Sequence, residues 1–166
     1  MPDIALSATS ADPHDSTWTV DLGCTRPAAY QEAWFTEIRP YAGHIMVSGK
    51  KQLPTCGISD LFHQVEDTTG TSRLVELRDV LYVPEMKFNL LSIAQVLKMD
   101  GRVVFCATRC SLFMDKDFKL HIKLALDMDL FQFQAKTTQD AIQRGRGLGL
   151  CGRQPANAFV APPDHV

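Results

Sequence analysis

A single carboxylate follows an apolar run near the start of this chain. In STWTVDLGCTRP, residues 16–27, the β-prone segment TWTV leads to Asp21, and Leu22 and Gly23 form the expected turn after it. A carboxylate at a strand end can act as a general acid or base when its geometry and pKa suit the reaction. Asp-x-Gly is also a weak three-residue pattern, and Asp and Gly are common in turns for conformational reasons alone. These residues by themselves leave both interpretations open.

The cysteines and histidines give little support to a metal or cofactor site. The five cysteines are an odd number without paired spacing, so we expect reduced thiols. Zinc is held by the residue types found at Cys106, Cys110, His63 and His121, but no CxxC or HxxxH pair accompanies them. We therefore expect neither a metal nor a cofactor.

Length and composition predict one folded domain and exclude some partners. The 166 residues are 45% hydrophobic and 22% charged, with a formal net charge of -2. This balance makes nucleic acid an unlikely partner for the domain alone, because phosphate binding relies on concentrated Lys and Arg. No apolar run approaches the roughly 20 residues of a membrane span, and the N-terminus does not resemble a secretory signal. We expect no membrane association and an intracellular location, cytoplasmic or nuclear.

Most of the chain consists of short β-prone runs separated by turn residues. HIMVS and LPTCGIS surround GKK and predict a hairpin. LFHQVE and RLVELRDVLYV are joined by the predicted turn DTTGTS, and a bulge or bend is predicted between Leu77 and Val80. RVVFC, CSLFMD, KLHIKLA and DLFQF predict four further strands. The fold class is therefore mainly β, a small closed or partly open β-barrel.

One helix is predicted near Asn89–Met99, with Asn89 as N-cap and Gly101 as its stop. A single core is predicted to contain Leu81, Val83, Leu90, Leu91, Ile93 and Val104. Residues 1–16 are polar and predict a flexible leader, and residues 17–133 form the barrel domain. Residues 134–166 predict a poorly ordered tail, weakly helical from Thr137 to Arg144.

One long segment carries a resemblance to a known family. LRDVLYVPEMKFNLLSIAQVLKMDGRVVF, residues 77–105, closely resembles the part of copia-type LTR-retrotransposon Pol polyproteins that follows the protease active-site motif. Upstream, Trp18, Asp21, Gly23 and Thr25 occupy the places of the family's tryptophan, catalytic aspartate, glycine and following small residue. The resemblance spans about Trp18 to Phe133. It implies a retropepsin-like aspartic protease barrel in which Asp21 and Gly23 belong to the catalytic turn.

Two residues depart from the family pattern. Leu22 replaces the family's hydroxyl residue, and Pro27 replaces its usual histidine. Aspartic proteases use two carboxylates that share one proton, so a chain with one such turn must form a homodimer to be active. The resemblance implies that the hydroxyl hydrogen-bonds across this dimer, which Leu22 cannot do, at a cost of about 1–3 kcal/mol per turn.

Three functions remain open at this stage. The first is a fragment of a Pol polyprotein corresponding to its protease domain, with weak or absent activity because of Leu22. The second is an active homodimeric aspartic endopeptidase that acts on a polypeptide substrate. The third is a retained β-barrel that binds extended peptides. On the first two interpretations Gly43, Gly49 and Gly57 could belong to a flap, although hairpin turns and strand ends explain them equally well.

Overall fold

The computed structural model describes residues 16–114, 117–125 and 129–135. Within these residues the chain is mainly β, with a curled nine-stranded sheet, a separate two-stranded sheet and one α-helix. This confirms the predicted mainly-β, barrel-type fold with one main helix. Nearly all of the predicted leader and of the predicted tail, including Thr137 to Arg144, lies outside the described residues.

The strands follow the order of the chain and are labelled accordingly. They are β1 Thr17–Asp21, β2 Ala28–Ala29, β3 Gly43–Val47, β4 Lys51–Thr55, β5 Gly57–Glu66, β6 Ser72–Tyr82, β7 Asn89–Ser92, β8 Arg102–Phe105, β9 Arg109–Phe113, β10 Lys119–Ala125 and β11 Leu130–Gln134. The helix α1 is Ile93–Lys98. The large sheet has the order β5-β6-β2-β7-β1-β11-β10-β9-β8, and β3 pairs with β4 in the small sheet. Strand β1 is central, parallel to β7 and antiparallel to β11.

The predicted hairpin, the predicted DTTGTS turn and the predicted bulge are confirmed. The register of β5 against β6 shifts between Ser59 and Leu61, opposite the segment from Leu77 to Val80. Asp79, in this segment, has a φ of 53°, and its backbone N–H donates to Asp60 Oδ1 at 2.9 Å. The Asp60 carboxylate stabilises the bulge, because it accepts a backbone hydrogen bond in place of the one that the shifted register removes between β5 and β6.

The predicted helix begins too early, at Asn89. Residues Asn89–Ser92 are instead strand β7, which pairs in parallel with β1. The Asn89 side chain is no helix cap: its Nδ2 donates to the Thr17 carbonyl at 3.0 Å and its Oδ1 accepts from the Tyr30 N–H. Because β7 is buried on both faces, its apolar run lacks the alternation of an exposed strand and resembles a helix.

The core consists of two clusters, so the prediction of a single core is wrong. Leu91 and Ile93 belong to the larger cluster, whereas Leu81, Val83 and Leu90 belong to the smaller. Leu90 and Leu91 separate because neighbouring residues of a strand point to opposite faces. Val104 belongs to neither cluster and is 48% exposed, which corrects its predicted burial. The smaller cluster includes Leu53 of the β3–β4 hairpin, which therefore packs on the second face of the sheet.

The turn between β5 and β6 hydrogen-bonds to β10 and so closes the curled sheet. The Thr68 N–H and hydroxyl both donate to the Lys119 carbonyl, at 2.9 and 2.7 Å, and the His121 N–H donates to Thr68 Oγ1. Strand β11 pairs with β10 only from Lys123 onward. Thr68 therefore satisfies backbone groups of β10 that β11 does not reach.

Candidate functional site

The predicted site residues form one tight turn at the end of the central strand. Asp21 is the last residue of β1, and its Oδ1 accepts a 2.7 Å hydrogen bond from the Gly23 N–H. Leu22 lies at the tip of the turn and is 65% exposed. The structure thus brings Asp21, Leu22 and Gly23 together and presents an apolar side chain beside the carboxylate.

Ser92 fastens this turn to the beginning of α1. It lies opposite Asp21 in the register of β1 and β7 and is fully buried. Its hydroxyl donates to the Cys24 carbonyl at 2.7 Å and accepts from the Gln95 N–H at 3.2 Å as the helix N-cap. Sequence reasoning missed Ser92, although Ser followed three residues later by Gln is the pattern of a capping box.

Cys24 follows the turn and is not poised as a nucleophile. Burial, followed by the negative charge of Asp21, raises the pKa of the Cys24 thiol to about 12. The thiol therefore stays protonated at neutral pH, and the thiolate is the reactive form of cysteine. Cys24 instead packs against the smaller cluster.

The β3–β4 hairpin packs on the same cluster as the end of the Asp21 turn. Ile45 and Val47 of β3 are partly buried against this cluster, as Cys24 is. The tip of the hairpin turns through Gly49, with a φ of 76°, a conformation that favours glycine. The Asp21 turn and the β3–β4 hairpin therefore lie on the same side of the large sheet.

The four residues considered for zinc do not form one cluster. His63 is fully buried in edge contact with the stacked rings of Trp18 and Trp34, at centroid distances of 5.2 and 4.8 Å, and burial lowers its pKa to about 3. Cys110 is buried in the larger cluster, and Cys106 is exposed. Among the described residues, no group of three or more His, Cys, Asp or Glu side chains could hold a metal. No helix in the described ranges is long and apolar enough to cross a membrane.

These features define a small β-barrel domain whose central strand ends in an aspartate-bearing turn. Residues 18–101, about half of the chain, match the family model of the Pol polyprotein, beta-barrel domain, and the chain belongs to this family. The matched region includes the Asp21 turn, the β3–β4 hairpin and α1. No curated protein matches the chain, and no solved structure matches it.

Proposed function

We propose that this chain is the protease-derived domain of a copia-type Pol polyprotein, related to the retropepsin-like aspartic proteases, and that it cleaves peptides weakly or not at all. Asp21 is its ancestral catalytic carboxylate. The observation that carries the proposal is the Asp21–Gly23 turn, closed by its own hydrogen bond and tied through Ser92 to α1. Family membership supports the origin in a Pol polyprotein.

A single turn of this kind supplies half of an aspartic protease site. In such a site one carboxylate activates the water while the other, protonated, donates to the substrate carbonyl. Two copies of the chain must therefore bring two Asp21 side chains together over a bound polypeptide. The partners proposed here are a second copy of the chain and a polypeptide, inside the cell.

Leu22 is the reason to expect little activity. A hydroxyl at this position would hold the paired turns with a directional bond, and each lost bond costs about 1–3 kcal/mol. Catalytic groups must be positioned within about 0.5 Å, which an apolar contact does not achieve. Two exposed Leu22 side chains can still gain from mutual burial. Association of two copies and cleavage by them are therefore separable.

A retained peptide-binding barrel is the second candidate. Among the described strands, β3 and β4 pair only with each other, so the hairpin has two edges that could each accept an extended peptide. Such binding would need neither Asp21 nor a second copy of the chain.

The test compares cleavage of an unbiased peptide library at about pH 4–6. The variants are the natural chain, Leu22→Ser, and Leu22→Ser combined with Asp21→Ala. Leu97→Ser is the matched control, since Leu97 is a similarly exposed leucine on α1. We expect the natural chain and Leu97→Ser to be silent, Leu22→Ser to gain pepstatin-sensitive cleavage, and the double variant to lose it.

Each alternative has its own outcome in the same experiment. Robust cleavage by the natural chain that depends on Asp21 would contradict the proposal in favour of an active homodimeric endopeptidase. Peptide binding by a monomer, with no cleavage by any variant, would favour the peptide-binding barrel.

A further inference from the structure

The outer face of β8, β9 and β10 carries most of the Lys and Arg side chains of residues 102–125. Buried Cys110, Leu112, Leu120 and Ile122 point into the larger cluster, so the residues that alternate with them lie on the opposite face. That face, called the basic face here, consists of Arg102, Val104, Arg109, Ser111, Phe113, Lys119, His121 and Lys123.

The strand register orders these side chains into three rows. In the first, the Arg102 guanidinium lies 4.4 Å from the centre of the Phe113 ring, and Lys119 Nζ lies 5.5 Å from it. In the last row, Arg109 lies directly opposite Lys123. The two cationic rows are four residues apart, about 13 Å along the strands.

The middle row is polar and experiences the charge of both outer rows. Ser111 Oγ and His121 Nδ1 are 2.7 Å apart across the strand pair, so Nε2 is the ring nitrogen that a ligand could reach. The pKa of His121 is lowered, by burial and then by the charges of Arg109 and Lys119. Cations of both outer rows therefore act electrostatically on the His121 ring.

The basic charge is segregated within a chain that is acidic on average. Residues 102–125 contain five Lys and Arg against two Asp, whereas the whole chain has a net charge of -2. Strands β8, β9 and β10 contain no Asp or Glu. Like charges directly opposite on neighbouring strands destabilise a sheet, so the Arg109 and Lys123 pair is costly without an anion. The low net charge of the whole chain argued against nucleic acid as a partner, but a net charge does not show where the cationic side chains lie.

We infer that the basic face binds single-stranded nucleic acid. Backbone phosphates would lie along the two cationic rows, where Lys and Arg supply the affinity. The guanidinium of Arg102, held over Phe113, offers a flat group on which a base can stack. A run of Asp or Glu side chains offers carboxylates but no aromatic ring that could stack at this position. The cationic side chains also span only three strands, about 10 Å, which suits a single strand better than a duplex.

The experiment measures binding of a fluorescent oligouridine of about 20 nucleotides to the full chain by anisotropy at low and moderate salt. Lys119→Gln with Lys123→Gln removes two charges from the basic face. Lys50→Gln with Lys51→Gln removes the same charge from the exposed hairpin and is the matched control. Tryptophan fluorescence, from buried Trp18 and Trp34, shows that each variant is folded.

The first double variant should bind at least about tenfold more weakly, with a salt slope smaller by about 2, and the control should stay within about twofold of the natural chain. Arg102→Lys keeps the charge but loses the flat group, so it should weaken binding severalfold. The inference is overturned if the natural chain does not bind, if both double variants weaken binding equally, or if Arg102→Lys has no effect. Equal competition by poly-glutamate, or tighter binding of duplex, would overturn it as well.

Discussion

Replacing Ser92 with Ala should destabilise the domain more than the loss of an ordinary buried serine. The Ser92 hydroxyl accepts from the Gln95 N–H as the N-cap of α1 and donates to the Cys24 carbonyl behind the Asp21 turn. Alanine removes both bonds in a fully buried position. The variant therefore tests whether the candidate site and the helix are held by one side chain.

The magnitude follows from these two bonds. Loss of a serine N-cap costs about 1 kcal/mol, and loss of a buried donor to a carbonyl costs about 1–2 kcal/mol. We expect Ser92→Ala to lower the free energy of unfolding by about 2–3 kcal/mol. Ser59 is a matched control, because it is equally buried but its main hydrogen bond is the one donated to the Glu37 carbonyl at 3.0 Å. Ser59→Ala should cost about 1 kcal/mol.

Equilibrium unfolding in urea, followed by the fluorescence of Trp18 and Trp34, measures both losses under the same conditions. Hydrogen exchange at the Gly23 and Gln95 amides adds a local measurement, and both amides should exchange faster in Ser92→Ala only. A loss for Ser92→Ala no larger than that for Ser59→Ala would refute the reasoning.

Two further predictions concern the core and its response to pH. Leu91 is 5% exposed and lines a cavity of about 40 Å³, so Leu91→Ala should cost about 2–5 kcal/mol in urea unfolding, whereas Val104→Ala should stay within about 0.5 kcal/mol. A loss below about 1 kcal/mol for Leu91→Ala would contradict its burial. Burial lowers the pKa of His63 from 6.5 to about 3. The contribution of neutral His63 to the free energy of unfolding is therefore complete above pH 6.5. It declines by up to about 1.4 kcal/mol per pH unit as the pH falls toward 3. The stability of the natural chain should therefore fall by about 2 kcal/mol relative to His63→Phe between pH 7 and 5, and a constant difference would show that His63 titrates normally.

Local signals in the sequence predicted the β3–β4 hairpin and the turn of the candidate site. The β3–β4 hairpin follows from two β-prone runs around a glycine, and the Asp21 turn from an apolar run that ends in Asp-x-Gly. The bulge was visible because alternation breaks between Leu77 and Val80. Each of these features depends on residues close together in the chain.

The features that sequence reasoning missed depend on distant pairing. Asn89 and Ser92 are both good N-cap residues. Pairing with β1 holds residues 89–92 in an extended conformation, so the helix begins after Ser92 and Ser92 is its N-cap. Val104 has the composition of a core residue, but β8 is an edge strand and turns this side chain to the solvent. The basic face is likewise invisible until the register places Arg109 opposite Lys123.

The most direct test of the central claim compares the natural chain with its Asp21→Ala variant. Both would be incubated with the peptide library at about pH 5, and new peptide termini would be counted by mass spectrometry. The account predicts the same background for both proteins, because Leu22 leaves the Asp21 turns without the bond that would align them. Cleavage by the natural chain that disappears with Asp21→Ala would contradict it.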